Sequence, residues 1–324
     1  MTTVDVDASG AGPERGRLSS GHSSRVLGCE PDVSDRGSVP AAQAAPTLAH
    51  RCAAPPPRGP QAHSLMPMLD EKHLRTALRQ CGRRTSAPGV DRMTLAELRR
   101  RSGELLPRLA DQLADGTWRP GPLREVRFPT YTGKSMVVCV PTLLDRLVHR
   151  ALRNAIEPIL EARVLRDWVS GYRPRRNRIT ALRAAAAHAE AGFRAVADVD
   201  VASVSEGVTV DQVVDWCAHH VHDGTFLGRM RTALTAMPYP IAAGSGLAPM
   251  LINLRLSRPD ALLDGLRVVR FADNYAVFSA DEAGARDAFA VINAALAEFG
   301  LRPNESKSRV RLRANVEDLF LIGG

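Results

Sequence analysis

From Met68 the chain takes up helical spacing: Leu69, Leu74 and Leu78 lead to Cys81, and Leu95, Leu98, Leu105, Leu106 and Leu109 follow a loop at Ser86-Ala87-Pro88-Gly89-Val90-Asp91. Apolar residues three and four apart predict one helix in each stretch. Leu123 to Pro129 and Met136 to Val140 read as short strands, and the Tyr131-Thr132-Gly133-Lys134 turn between them predicts a hairpin. Leu143 to Leu160 is amphipathic and is expected to end near Pro158, and Thr180 to Glu190 predicts an alanine-rich helix.

Phe193 to Val201 alternates apolar side chains and delivers Asp198 and Asp200 toward its end; Val210 to His219 predicts a helix. Leu266 to Phe271 and Tyr275 to Phe278 are apolar runs separated only by Ala272-Asp273-Asn274, which predicts a tight hairpin with Asp273 at its tip. Ala283 to Phe299 predicts a helix, and Ser308 to Leu312 and Leu319 to Ile322 short strands. The expected fold class is α+β, an antiparallel sheet with helices on one face. Thr232 to Leu254 carries no charge, but Pro238, Pro240, Gly244, Gly246 and Pro249 exclude a membrane span and predict a buried loop running into a helix.

Composition separates the ends of the chain. Residues 1–64 hold eight of the 22 prolines among Gly, Ser and Ala, with no sustained apolar period, and are expected to form a disordered tail. That tail carries six Arg against six acids, so the whole formal charge of +8 falls on the remainder. A basic folded region points toward nucleic acid or another polyanion. The five cysteines form no CxxC pair, and His219, His220 and His222 have no further ligand at metal spacing, so neither a disulfide framework nor a zinc site is expected. No secretory signal opens the chain, and the expected location is the cytoplasm.

Asp200 closes one strand and Asp273 tips a hairpin; if those strands are neighbours, their carboxylates converge. Converging acids either raise a pKa, as in an acid/base pair, or bind a hard cation such as Mg²⁺. The alternative is that each Asp caps a turn. Arg173, Arg175, Arg176 and Arg178 form a basic loop suited to track phosphates or to stay solvated.

Phe271-Ala272-Asp273-Asn274, flanked by apolar strands, resembles the YADD box of reverse transcriptases, and neighbouring segments resemble that family's motifs in the same order. Gly89-Val90-Asp91 is similar to GVDG and Trp118-Arg119-Pro120 to YRP. Gly133-Lys134, Val140-Pro141-Thr142 and Asp145-Arg146 resemble the fingers hairpin GKxRPLGIPT and its DR. Ser170-Gly171-Tyr172-Arg173-Pro174 is similar to SYGFRP, and Asp198-Val199-Asp200 to the palm DAD. Leu247-Ala248-Pro249-Met250-Leu251-Ile252-Asn253 resembles LSPLLAN. Gly300-Leu301 with Asn304 and Lys307 resembles GLxLNxxKT, and Phe320-Leu321-Ile322-Gly323 the closing FLGF. The likeness is to group II intron-type and related bacterial enzymes and covers residues 70–324.

The resemblance implies a right-hand polymerase with fingers over 65–195 and a palm over 196–324. Asp200 and Asp273, with Asn274 beside them, would hold two Mg²⁺ (or Mn²⁺) around an incoming dNTP, on an RNA template with a nucleic-acid primer. Lys307 falls near the leaving pyrophosphate, and Lys134 and Arg146 on the basic fingers surface.

Four positions depart from the family pattern. Asn274 replaces the second Asp of the box. Met136 replaces the Arg of RPLG, a loss worth on the order of 2 kcal/mol of nucleotide binding. Ala242-Ala243-Gly244 replaces the PQG turn, so Gly244 keeps the place of its glycine without the glutamine. Val204-Ser205-Glu206 replaces FFD, leaving Ser205 where a ring usually excludes the ribose 2′-hydroxyl. The chain ends at the FLGF-like segment, so thumb function is expected from a partner. Three functions follow: RNA-directed DNA synthesis, an inactive palm that binds RNA or protein, or a non-templated defence-type polymerase.

Overall fold

Leu69, Leu74 and Leu78 are buried on one face of the first helical stretch, a short 3-10 turn at Met66–Leu69 followed by α1 (Glu71–Cys81). The computed structural model describes residues 64–81, 88–129 and 135–320, so the expected tail up to 63 and the Tyr131-Thr132-Gly133-Lys134 turn, Lys134 included, lie outside the described residues. Every described residue belongs to one compact unit.

The single helix expected from Leu95 to Leu109 is two: α2 (Leu95–Arg100) and α3 (Ser102–Asp115). Arg101 leaves helical geometry at ψ 7°, and the Ser102 hydroxyl bonds the Arg99 carbonyl. Serine competes with the helix for such carbonyls, and Gly103 follows it. β1 (Arg124–Pro129) and β2 (Ser135–Val140) form the expected antiparallel hairpin.

α4 runs from Leu143 to Arg163, five residues past Pro158, where the sequence predicts its end. The proline removes one hydrogen bond and crowds the preceding turn, at roughly 3 kcal/mol. Ile156 and Leu160 are both buried and continue the apolar stripe, which offsets that loss.

α5 (Arg178–Glu190) leads into β3 (Ala195–Asp200). α6 (Val210–Ala218) follows, then α7 (Gly224–Thr235), a helix that the sequence pattern does not predict, and α8 (Ala248–Asp260). The charge-free stretch is thus the end of α7, a loop with Ile241, Ala242 and Leu247 buried, and the start of α8. Among the described residues no helix is long and apolar enough to cross a membrane. β4 (Arg267–Phe271), β5 (Asn274–Ser279), α9 (Glu282–Glu298) and β6 (Arg309–Arg311) complete the order.

The second sheet has the order β4-β5-β3-β6, antiparallel throughout. Ala197, Val199, Val268, Tyr275 and Val277 point to one face and join the main core with residues of α8 and α9. Successive strand residues alternate sides, so Val196, Asp198 and Asp200 share the other face. The far end of that face, Val196, Val269, Ala276 and Phe278, is covered by Ala181 and Ala185 of α5 with Leu319 and Phe320. The helix itself is expected from the sequence; its packing on this face adds to the expected arrangement, and the cluster it forms does not include Asp200. Leu319 and Phe320, expected in a strand, instead follow a 3-10 turn at Val316–Asp318, with Phe320 at φ 56°. The rest of that expected strand lies outside the described residues.

Candidate active site

β3 and β5 pair so that Asp200 lies opposite Asn274. The β4–β5 connection closes on the Phe271–Asn274 pair, leaving Ala272 and Asp273 as a two-residue turn. Such turns need a positive φ, which Ala272 supplies at 57°. The Val201 amide donates to the Asp273 carbonyl at 3.0 Å, tying the turn to the end of β3. The convergence of Asp200 and Asp273 follows from strand register alone.

Lys307 joins them. The Asn304 amide donates to the Asp200 carbonyl at 2.7 Å, and the Ser308 hydroxyl accepts from the Asp200 amide at 3.1 Å. That places the Lys307 ammonium 4.0 Å from the Asp200 carboxylate. Burial raises the Asp200 carboxyl above the ordinary range, while Lys307 and a hydrogen bond from Asn304 pull it back. Burial also raises Asp273, and the negative charge of Asp200 raises it further. Asn274 donates its amide to Asp273 Oδ1 at 3.2 Å. Tyr172 belongs to the same neighbourhood, since burial and the Asp273 charge lift its phenol. Asp198 is spoken for: Arg311 of β6 bonds its carboxylate at 2.8 Å.

Two half-buried, mutually repelling carboxylates are an oxygen donor set of the kind a hard divalent cation satisfies. The residues therefore fit such an ion, with Asp200 and Asp273 as its carboxylate ligands. Among the described residues no group of three or more His, Cys, Asp and Glu side chains is arranged to hold a metal.

Other expected site residues fall elsewhere. Ser205 is half-buried in the turn after β3, which Arg255 of α8 holds by donating to the Val204 and Glu206 carbonyls at 2.8 and 2.7 Å. Arg146 is half-buried on α4, where burial lowers its pKa. Its neighbour Asp145 accepts from the Thr142 hydroxyl at 2.6 Å and the Gly121 amide at 2.9 Å, locking the loop after Trp118 to the start of α4.

Gly244 has a structural reason: at φ 99° a Cβ there would lie 2.0 Å from the Cys139 carbonyl oxygen. The Cys139 amide donates to the Ala243 carbonyl at 2.9 Å, so the β1–β2 hairpin presses directly on this turn. Arg173, expected on a phosphate-tracking loop, is turned inward. Its guanidinium forks onto Glu161 and bonds the Arg166 and Val169 carbonyls, and it is buried. Arg176 and Arg178 also bond main-chain carbonyls, while Arg175 is exposed.

A buried cluster behind the turn is absent from the sequence-based expectations. Arg270 is fully enclosed; it forks onto Asp260 at 3.1 and 2.7 Å and donates to the Asn253 side chain at 2.9 Å and the Ala272 carbonyl at 2.7 Å. Tyr275 donates to Asp260 at 2.7 Å. The signal in the sequence is a lone charge inside the apolar run Val268-Val269-Arg270-Phe271.

The chain is similar to known proteins. Residues 129–318 match the model of the reverse transcriptase (RNA-dependent DNA polymerase) family. Protein YkfC of Escherichia coli (strain K12) is 28% identical over 194 residues, 54% of this chain and 50% of that protein. The group II intron-encoded protein LtrA of Lactococcus lactis subsp. cremoris is 35% identical over 83 residues, 25% of this chain and 14% of LtrA. The chain thus spans half the length of one relative and a small part of the other. Among solved structures, a chain of a partial Cas6-RT-Cas1--Cas2 complex aligns with a TM-score of 0.40 and 17% identity, over 72% of this chain and 41% of that one. With the family model matched over more than half its length, the chain belongs to the reverse transcriptase family.

Proposed function

We propose that this chain performs template-directed nucleotidyl transfer, RNA-directed DNA synthesis, with Mg²⁺ or Mn²⁺ bound by Asp200 and Asp273. The observation that carries the reading is the meeting of these two carboxylates where β3 and β5 end, with Lys307 4.0 Å from the first. A bound divalent ion would supply charge neutralisation for the phosphates. In the reaction the primer 3′-hydroxyl gives up its proton to solvent as its oxygen bonds to the α-phosphorus of the dNTP and the bond to pyrophosphate breaks. Lys307 offers a positive charge beside the carboxylates, where the departing pyrophosphate gains negative charge. The turn carrying Ser205 follows β3 directly, in the place where sugar selection is expected. RNA template, primer and dNTPs are the partners this reading requires, and the cytoplasm is its compartment.

One observation favours an inactive, RNA- or protein-binding palm instead: Asn274 brings a neutral amide where the family has a carboxylate, and that amide occupies Asp273 Oδ1. Primer extension on an RNA template with dNTPs and Mg²⁺ or Mn²⁺ decides between them. The active reading requires extension that disappears in Asp273→Ala. RNA retention in a gel shift without extension favours the binding module, and extension without template favours a non-templated polymerase.

A further inference from the structure

Helix α8 packs behind the candidate site and sends three polar side chains toward the two loops that frame it. Asn253 and Asp260, seven residues apart, share a face of the helix and both bond Arg270 of β4. Arg270 then reaches past the end of its own strand to the Ala272 carbonyl. The second half of the Asn253 amide donates to the Gly171 carbonyl at 2.9 Å. Gly171 rests on the turn so closely that a Cβ would lie 1.9 Å from the Ala272 nitrogen. Arg255 holds the turn after β3 through the Val204 and Glu206 carbonyls.

Burial makes the first of these arms unusually directional. Asn253, Asp260 and Arg270 are each no more than 1% exposed, so each polar atom must find its partner inside the protein. The guanidinium is a planar fork whose donors point in fixed directions. With one edge locked on Asp260, its remaining nitrogen has two defined targets, the Asn253 side-chain oxygen and the Ala272 carbonyl in the turn bearing Asp273. Ala272 sits in the left-handed region, which an alanine does not favour. Something outside the turn must hold it there.

We propose that Asn253 and Arg270 are positioning residues that hold the Ala272-Asp273 turn against the end of β3, with Asp260 as their anchor. The cluster touches no reacting atom. Its relevance to nucleotidyl transfer rests on the function proposed above, whereas its hold on the turn does not.

The experiment compares the full chain with Asn253→Ala, which spares the Arg270–Asp260 fork, with Arg270→Lys, which keeps the charge and loses the fork, and with Ile292→Ala. Ile292 is buried in α9, in the main core on the same sheet face as α8 but outside the Arg270 hydrogen-bond cluster, and serves as a destabilised control. Hydrogen exchange is followed in peptides covering the turn, β3 and α9, and Mn²⁺ binding is titrated by electron paramagnetic resonance. In both Asn253→Ala and Arg270→Lys, exchange at Ala272 to Asn274 should quicken on the order of tenfold beyond any change in α9. Mn²⁺ affinity should fall about tenfold, the lower range for loss of a group that orients a ligand. Ile292→Ala should change exchange without that localisation. If both variants loosen all peptides evenly, or leave the turn unchanged, the cluster is only a stabilising core pair and the proposal is overturned. If the unaltered chain binds no Mn²⁺ while turn-localised exchange still appears, the positioning role stands and the metal reading fails.

Discussion

Asp200 and Asn274 face each other across the β3–β5 ladder, and the Asn274 amide donates to Asp273 one residue back. One neutral side chain therefore lies beside both carboxylates of the candidate site. Replacing it by Asn274→Asp adds a third carboxylate and so a third negative charge. Divalent cation affinity should rise at least about tenfold, and stability without metal should drop by about 1 kcal/mol through like-charge repulsion. Calorimetric titration with Mn²⁺ and chemical denaturation with and without the ion test both halves. Unchanged affinity would mean that the amide is not what limits the site.

The raised carboxyls give the site a pH signature. Asp273 is lifted by burial and by Asp200, so the folded state holds its proton to higher pH than the unfolded chain does. Stability from this group is full below the ordinary value of 3.8 and is lost as pH rises through the raised folded value. Asp273→Asn removes the contribution, so the difference in melting temperature between variant and unaltered chain should grow in the variant's favour from pH 4 toward neutrality. Mg²⁺ or Mn²⁺ should shrink that difference, because only the unaltered chain offers both carboxylates. A difference that does not vary with pH would remove the electrostatic account.

His149 works in the opposite direction. It lies almost fully enclosed on α4 with Ser245 Oγ 3.5 Å from Nδ1, and burial pushes it down to about 4. Below its ordinary 6.5 the unfolded chain takes up a proton that the folded chain resists. Stability is therefore full above about 6.5 and falls as pH drops toward 4, by on the order of 3 kcal/mol at the lower end. His149→Gln, which has no titrating group, should flatten that part of the curve in denaturant melts between pH 7 and 4.5. A slope that persists in the variant would point to other groups.

How far these features are legible in the sequence depends on whether their cause is local. The β4–β5 turn and the alternation of Phe193 to Val201 are written in neighbouring residues and put Asp200 at a strand end and Asp273 at a hairpin tip; their meeting depends on the β3–β5 pairing, which no local pattern gives. α7 is not legible because Gly224 and Gly228 weaken its pattern, and its position is fixed by Asp223, which caps it while also accepting the Leu65 and Met66 amides. Arg173 resembles a solvent-facing loop charge because its partner Glu161 stands twelve residues away on α4. The Arg270 cluster combines α8, β4 and the Gly171 segment, so its pairing exists only once the chain has folded. Local spacing locates the carboxylates, and long-range burial determines what holds them.

Gly171 offers a test of how tightly that turn is packed. A Cβ there would meet the Ala272 nitrogen at 1.9 Å and the Ala272 Cα at 2.6 Å, distances at which backbone must move. Backbone cannot rotate aside as a long side chain does, and the Ser170 amide is already fixed to the Arg270 carbonyl at 2.8 Å. Gly171→Ala should therefore displace the Asp273 turn and lower stability by roughly 1–3 kcal/mol, the range for overpacking. If the extension activity proposed above is present, it should fall further than stability alone accounts for at a temperature where the variant is still folded. Gly103→Ala is the matched control, because nothing lies within 4 Å of the place its methyl group would take on α3 and alanine favours a helix. Melting curves and primer extension on the two variants separate the outcomes: parallel behaviour would show that the turn has room to spare, and loss confined to Gly171→Ala would show that it has none.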